Sequence, residues 1–208
     1  MTEWLILISL LVFSALCTRG QVIQSIKCGN LIDGRTETRR NSLGTTVVLQ
    51  MHAQDDSGKN SHLCESKYWF LVKGADGTSV RHDVISIDDS WGRSMKFWIS
   101  GFTSGGHRVI ATIWDYDYSI VSYDLQTDEI STMDISRSFL NKLGPSCGKT
   151  LAVLGTTRDG YVVISIGGKG CESGHKKWKV KPGIVVNGMQ QNATLVRLPD
   201  TTEIKPIE

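Results

Sequence analysis

Hydrophobic and polar positions along this chain alternate in short stretches, and from residue 45 onward none of them keeps the 3.6-residue period of an amphipathic helix. β-branched and aromatic residues cluster in runs of five to nine, separated by Gly, Asp, Asn and Ser, the punctuation of strands joined by turns. The pattern predicts strands at Thr45–Ala53, Tyr68–Lys73, Val80–Ile87, Met95–Gly101, Arg108–Trp114, Ser119–Leu125, Glu129–Ile135, Leu151–Thr157, Tyr161–Gly167, Lys176–Lys181 and Thr194–Leu198. One helical turn is expected at Ser136–Leu143, opened by a serine cap and stopped by Gly144-Pro145. The expected fold is therefore all-β, an antiparallel meander of about eleven short strands in a small propeller-like arrangement, with a two-sheet β-sandwich as the alternative.

The N-terminus breaks this pattern. Leu5 to Leu16 is almost wholly apolar, shorter than the roughly 20 residues a membrane span needs, and small and polar residues follow it. It reads as a signal peptide over residues 1–20, ahead of a lead-in over 21–44, one all-β domain over 45–198 and a tail over 199–208. The expected localisation is secreted: extracellular, or periplasmic in a Gram-negative bacterium. A transmembrane protein is not expected. Its n-region departs from the usual form, carrying Glu3 and neither Lys nor Arg.

Export changes the meaning of the five cysteines. Losing Cys17 with the leader leaves Cys28, Cys64, Cys147 and Cys171, an even number that reads as two disulfides with three connectivities open. The local pairs Cys28 with Cys64 and Cys147 with Cys171 are favoured because each brackets a compact stretch with turn signals. Without any Cys-x-x-Cys spacing the four do not read as a zinc site.

Turns that begin with Asp recur at Asp33, Asp76, Asp117 and Asp159, a spacing near 42 that lies in the range of propeller blades. Phe102-Thr-Ser-Gly-Gly-His-Arg-Val-Ile-Ala111, followed by Ile120-Val-Ser-Tyr-Asp-Leu-Gln-Thr-Asp-Glu-Ile130, resembles one blade of the TolB-like propellers. The chain has Ser104-Gly105-Gly106 where that family has Pro-Asp-Gly. The resemblance implies a propeller fold and carries no catalytic residue over. About 188 residues after the leader are too few for the six or seven blades usual in that family.

Candidate chemistry is sparse. Gly144-Pro-Ser-Cys-Gly-Lys-Thr150 has one residue too few for a phosphate loop and is followed by a strand rather than a helix. The five His are scattered singly, no Gly-x-Ser-x-Gly elbow occurs, and the neighbouring acids Asp55-Asp56 and Asp88-Asp89 would point to opposite faces of a strand. No catalytic residue, metal or cofactor is expected. Asp115, Asp117 and Ser119 supply only half of a calcium loop, leaving weak Ca²⁺ binding as the one metal option.

The same stretch, Asp115-Tyr116-Asp117-Tyr118, is a candidate ligand-contact loop, its tyrosines placed to meet a sugar or a protein. Lys177, Lys179 and Lys181 would line one face of a strand, opposite Trp178 and Val180, as a basic patch or as protection of an edge. A net charge of +2 argues against nucleic acid as a partner. Asn192-Ala-Thr194 is a glycosylation sequon in a eukaryotic host.

Together these readings predict an exported, disulfide-stabilised binding or interaction module directed at a protein or glycan surface. A secreted hydrolase with dispersed catalytic residues and a structural cell-surface domain are the alternatives. Intact mass of the exported protein should show a chain starting near residue 21, with four thiols that titrate only after reduction; four free thiols before reduction would remove the disulfides.

Overall fold

The computed structural model describes residues 35–55, 64–89, 96–114, 117–143, 150–167, 176–182, 185–186, 189–190 and 193–208. All-β character is plain: the strands are β1 (Thr36–Arg40), β2 (Thr46–Asp55), β3 (Cys64–Lys73), β4 (Ser79–Asp89), β5 (Lys96–Phe102), β6 (Arg108–Trp114), β7 (Tyr118–Asp124), β8 (Ile130–Ile135), β9 (Thr150–Thr156), β10 (Val162–Gly167), β11 (Lys176–Lys181), β12 (Val185–Val186), β13 (Met189–Gln190), β14 (Thr194–Arg197) and β15 (Lys205–Pro206). The one helix among the described residues is α1 (Arg137–Lys142). It is capped by Ser136, whose hydroxyl accepts from the Phe139 N–H at 3.4 Å. Among the described residues no helix is long and apolar enough to cross a membrane.

Most strands pair antiparallel with a sequence neighbour, giving three main sheets and a small β12-β13 ribbon; β14 pairs instead with β11 and β15 with β9. The first sheet runs β1-β2-β3-β4, the second β5-β6-β7-β8 and the third β14-β11-β10-β9-β15. The third sheet is a meander like the others, with a returning strand added outside β9. By contacts the chain divides into two units. The smaller comprises Met1–Arg35, Met51–Tyr68 and Ile85–Ser94; within it the Met51 N–H reaches the Arg35 carbonyl at 3.4 Å and Lys67 pairs with Glu65 at 3.3 Å. The larger, Thr36–Gln50, Trp69–Val84 and Met95–Glu208, holds everything that follows.

The second sheet is buried on both faces. In β6 every residue from Val109 to Ile113 is buried, and in β7 every residue from Tyr118 to Tyr123. These mostly apolar runs, broken only by Thr112, Ser119 and Ser122, are buried on both faces, so the two strands have a cover on each side. On one side Ile110, Ile120, Met133 and Ile135 pack against Leu151, Val162, Ile164, Ile166 and Val180 of the third sheet, and Leu140 of α1 joins them. Phe139 of α1 meets the Trp178 ring edge-on at 5.7 Å between centroids. On the other side Tyr123 stacks on Phe70 of the first sheet at 5.6 Å and lies 4.9 Å from the His82 ring.

The true structural repeat is not the 42-residue spacing of the Asp turns. Asp76 lies between the third and fourth strands of its sheet, Asp117 between the second and third, and Asp159 between the first and second. Besides the β3–β4 turn at Gly74, which has the same hydrogen bonds, the turns joining the first two strands of each sheet start at Asn41, Thr103 and Thr157. In each, the carbonyl of the first residue accepts from the residue three further on, at 3.1, 2.8 and 3.0 Å, and its N–H bonds across the hairpin at 2.9, 2.8 and 2.9 Å. Asn41 also joins two of these turns. Its side-chain amide, buried, donates to the Gly106 carbonyl at 2.8 Å while its oxygen accepts from the Thr45 N–H at 2.8 Å.

Four strands exceed the sequence expectation: the short β12 and β13, which pair with each other, and two strands in the flanking segments. The lead-in carries β1, an exposed strand of Thr, Glu and Arg whose lack of apolar alternation hides it. The tail carries β15. Nor is β11 at an edge, as its lysine pattern had allowed: it lies between β10 and β14.

Ile120→Ala should cost about 2–5 kcal/mol, because the double-sided packing leaves the cavity no room to collapse. Leu43→Ala, at an exposed turn, should stay within about 0.5 kcal/mol. Asn41→Ala should fall between them at about 1–3 kcal/mol through the orphaned buried groups. Denaturant melts of the three variants measure this order.

Candidate functional site

A cleft of about 540 Å³ opens where the second and third equivalent turns face each other. The first and second turns are sealed together by Asn41; the second and third are not. One wall is the β5–β6 turn with Thr103, Ser104, His107 and Arg108, and the other is the β9–β10 turn with Thr157, Arg158 and Gly160. Glu203, Lys205 and Glu208 of the C-terminal segment complete it.

Arg108 is the best-held cation of the cleft. Its guanidinium lies 3.3 Å from Asp124, the residue paired with it across β6 and β7. Asp124 also accepts from the N–H groups of Gln126 at 2.9 Å and Thr127 at 3.2 Å. Burial pushes the Asp124 carboxyl up, but the two backbone N–H groups and Arg108 outweigh it and hold it below the usual carboxylate range. A second hollow of about 360 Å³ shares Arg108 and Gly160 with the cleft and is lined by Ser122, Ser131, Asp159 and Tyr161. The two hollows thus follow one seam between the second and third sheets, with Arg108 at their junction.

Asp159 is set in the β9–β10 turn by the Thr157 hydroxyl, which donates to it, and by Lys179 at 3.3 Å. The Thr157 hydroxyl holds its carboxyl below the usual range, and Lys179 adds to the effect. The Lys179 ammonium also lies 4.5 Å above the Tyr161 ring, a cation–π contact that orients both. Arg108, Arg158 and Lys205 line the cleft together with Asp124, Glu203 and Glu208, with hydroxyl groups among them.

The residues expected from sequence fall elsewhere, with one exception. Asp115 and Tyr116 lie outside the described residues, as do Cys28, Cys147 and Cys171, while Cys64 opens β3. Asp117 is spent on α1, accepting from the Arg137 N–H at 2.6 Å. Tyr118 is a core residue rather than a surface contact: 4% exposed, it packs on Trp114 at 6.2 Å, and burial pushes its phenol up. The Ser119 hydroxyl donates to Asp134 at 2.7 Å. Calcium would therefore have to take both Asp117 and Ser119 from protein partners.

Of the lysines, Lys177 donates to the Asp200 carbonyl at 3.0 Å, Lys179 reaches Asp159, and Lys181 is exposed. Only Lys179 touches the seam. Sequence reasoning missed His107, Arg108, Asp124, Arg158 and Lys205. The signal that could have found their walls is Gly101-Phe-Thr-x-x-Gly106 against Gly155-Thr-Thr-x-x-Gly160.

No protein-family model matches this chain, and no curated protein or solved structure is similar to it.

The acid limb of stability should report Asp124. Its pKa is lowered on folding, so its contribution is complete above the unfolded value of about 3.9 and is lost as pH falls through the lower folded value. Asp124→Asn should therefore weaken the chain at neutral pH and flatten the loss of stability below about pH 4, read from melting temperature against pH.

Proposed function

We propose that this chain is an exported, disulfide-stabilised binding module and that the cleft between the β5–β6 and β9–β10 turns receives a polypeptide segment of a partner protein. The signal-like N-terminus and the four remaining cysteines support export and disulfides. The three meander sheets stacked through a doubly buried middle sheet, with their equivalent turns at one end, support a blade-like arrangement. Loops gathered at one end of a rigid β scaffold are where binding surfaces are built.

The observation that carries the reading is the charge pattern of the cleft. Arg108, Arg158 and Lys205 stand against Asp124, Glu203 and Glu208, so neither sign prevails. A polyanion would meet three carboxylates and a polycation three cations. A polypeptide segment with side chains of both signs can satisfy both sets and can use Ser104 and Thr103 for its backbone groups. Sign complementarity of this kind sets partner choice and on-rate more than raw affinity.

An unbiased displayed-peptide library and a glycan array, each probed with the full mature chain, test this. Selected peptides should carry both acidic and basic residues, bind more weakly as salt rises, and lose about tenfold or more in affinity to Arg158→Glu. Peptides that bind Arg158→Glu and Lys205→Glu as well as the unsubstituted chain, or ligands found only on the glycan array, would overturn it.

A further inference from the structure

The C-terminal segment lies across two sheets at once. Lys205 and Pro206 pair with Thr156 and Gly155 on the free edge of β9. Two residues on, Ile207 bridges to Thr103, and Glu208 and Phe102 exchange N–H···O bonds of 2.8 and 3.0 Å at the end of β5. The segment therefore satisfies the leading edges of the second and third sheets with main-chain bonds, as a peptide does when it adds to an exposed sheet edge.

Both edges are shaped for it. β5 and β9 each carry a register shift at the same structural position, next to Gly101 and Gly155. A Cβ on Gly101 would lie 2.7 Å from the Glu208 carbonyl oxygen, and one on Gly155 would lie 2.8 Å from the Ile204 Cγ2 and collide with the Lys205 carbonyl. Glycine is needed at these two sites because another backbone passes over them.

The grip on the segment is otherwise light. Lys205, Pro206 and Glu208 are exposed, and Ile207 is the residue that packs against the core between the second and third sheets. A segment held by a few main-chain bonds and two half-buried isoleucines, Ile204 and Ile207, opens locally at low cost.

We propose that the groove formed by the β5 and β9 edges is a strand-acceptor site, filled in cis by residues 203–208, which also accepts that segment in trans from a second copy of the chain. The trans segment has the same sequence and makes the same bonds, so the two modes differ only in connectivity, the condition for strand exchange. The proposal does not depend on what the neighbouring cleft holds.

A fluorophore-labelled synthetic peptide of residues 199–208 stands in for the second copy's segment, with anisotropy as the readout. The unsubstituted chain should bind it weakly, because the tethered segment competes at an effective concentration on the order of millimolar. Ile207→Asp in the chain unseats the cis segment and should tighten peptide binding at least about tenfold. Adding Gly155→Val to that variant should abolish binding, and a peptide carrying the same Ile207→Asp change should not bind. Melting temperatures confirm that the variants fold, and Ile207→Ala serves in place of Ile207→Asp if the latter does not.

Ile207→Asp binding no tighter than the unsubstituted chain, or binding that survives Gly155→Val, would overturn the proposal. Leu43→Ala, at an exposed turn of the first sheet, should leave peptide docking unchanged; the displayed-peptide selection reads the cleft and the 199–208 peptide reads the groove, so the two readings fail separately.

Discussion

The middle sheet sets the terms for the whole larger unit. β6 and β7 are buried on both faces and mostly apolar, and an antiparallel sheet of that kind has no face left for water. It must be covered twice. The first and third sheets do so, and neither could be removed without exposing a continuous apolar surface. Burial of this sort is the dominant favourable contribution to folding and is felt at the level of single methylene groups in a close-packed interior.

The two seams that result are sealed differently. Between the first and second sheets, polar groups tie the rim. Asn41 spans two turns, and Asp128, held in the left-handed region at φ 65°, accepts from the buried Tyr123 hydroxyl at 2.6 Å and lies 3.3 Å from the His82 ring nitrogen. Burial and the neighbouring Asp128 and Asp124 carboxylates push the Tyr123 phenol upward, so it stays a donor throughout the working pH range. Between the second and third sheets the core is large and apolar, but the turn end stays open. That seam is bounded by the Arg108–Asp124 pair and crossed by the C-terminal segment. The two seams thus differ in closure at the corresponding turns.

All eleven strands expected from alternation exist, most within one or two residues of the expected bounds, and the single helical turn sits at its serine cap. The elements missed are those whose formation is decided elsewhere. β1 is polar throughout and owes its place to pairing with β2. β15 is two residues long, contains Pro206 and exists because β9 offers an unpaired edge. The Asp-turn spacing misled because any hairpin can carry an Asp turn, whichever pair of strands it joins. The exposed-tyrosine reading of the 115–118 loop failed at Tyr118 for a related reason: its side chain shares the inward row with Trp114 and Ile135, its pairing partners.

Local sequence therefore determined what local physics governs: which runs are strands, where turns and the helix cap fall, and, among the described residues, that no run is a long helix. Period-two alternation and turn chemistry act over a few residues and are legible there. Which sheet is covered on both faces, which turns meet and which leave a cleft, and why Gly101 and Gly155 have no side chain were decided only by the tertiary structure. Those facts depend on contacts between residues as far apart as Asn41 and Gly106, or Phe102 and Glu208. No local pattern encodes which backbone will pass within van der Waals distance of which glycine.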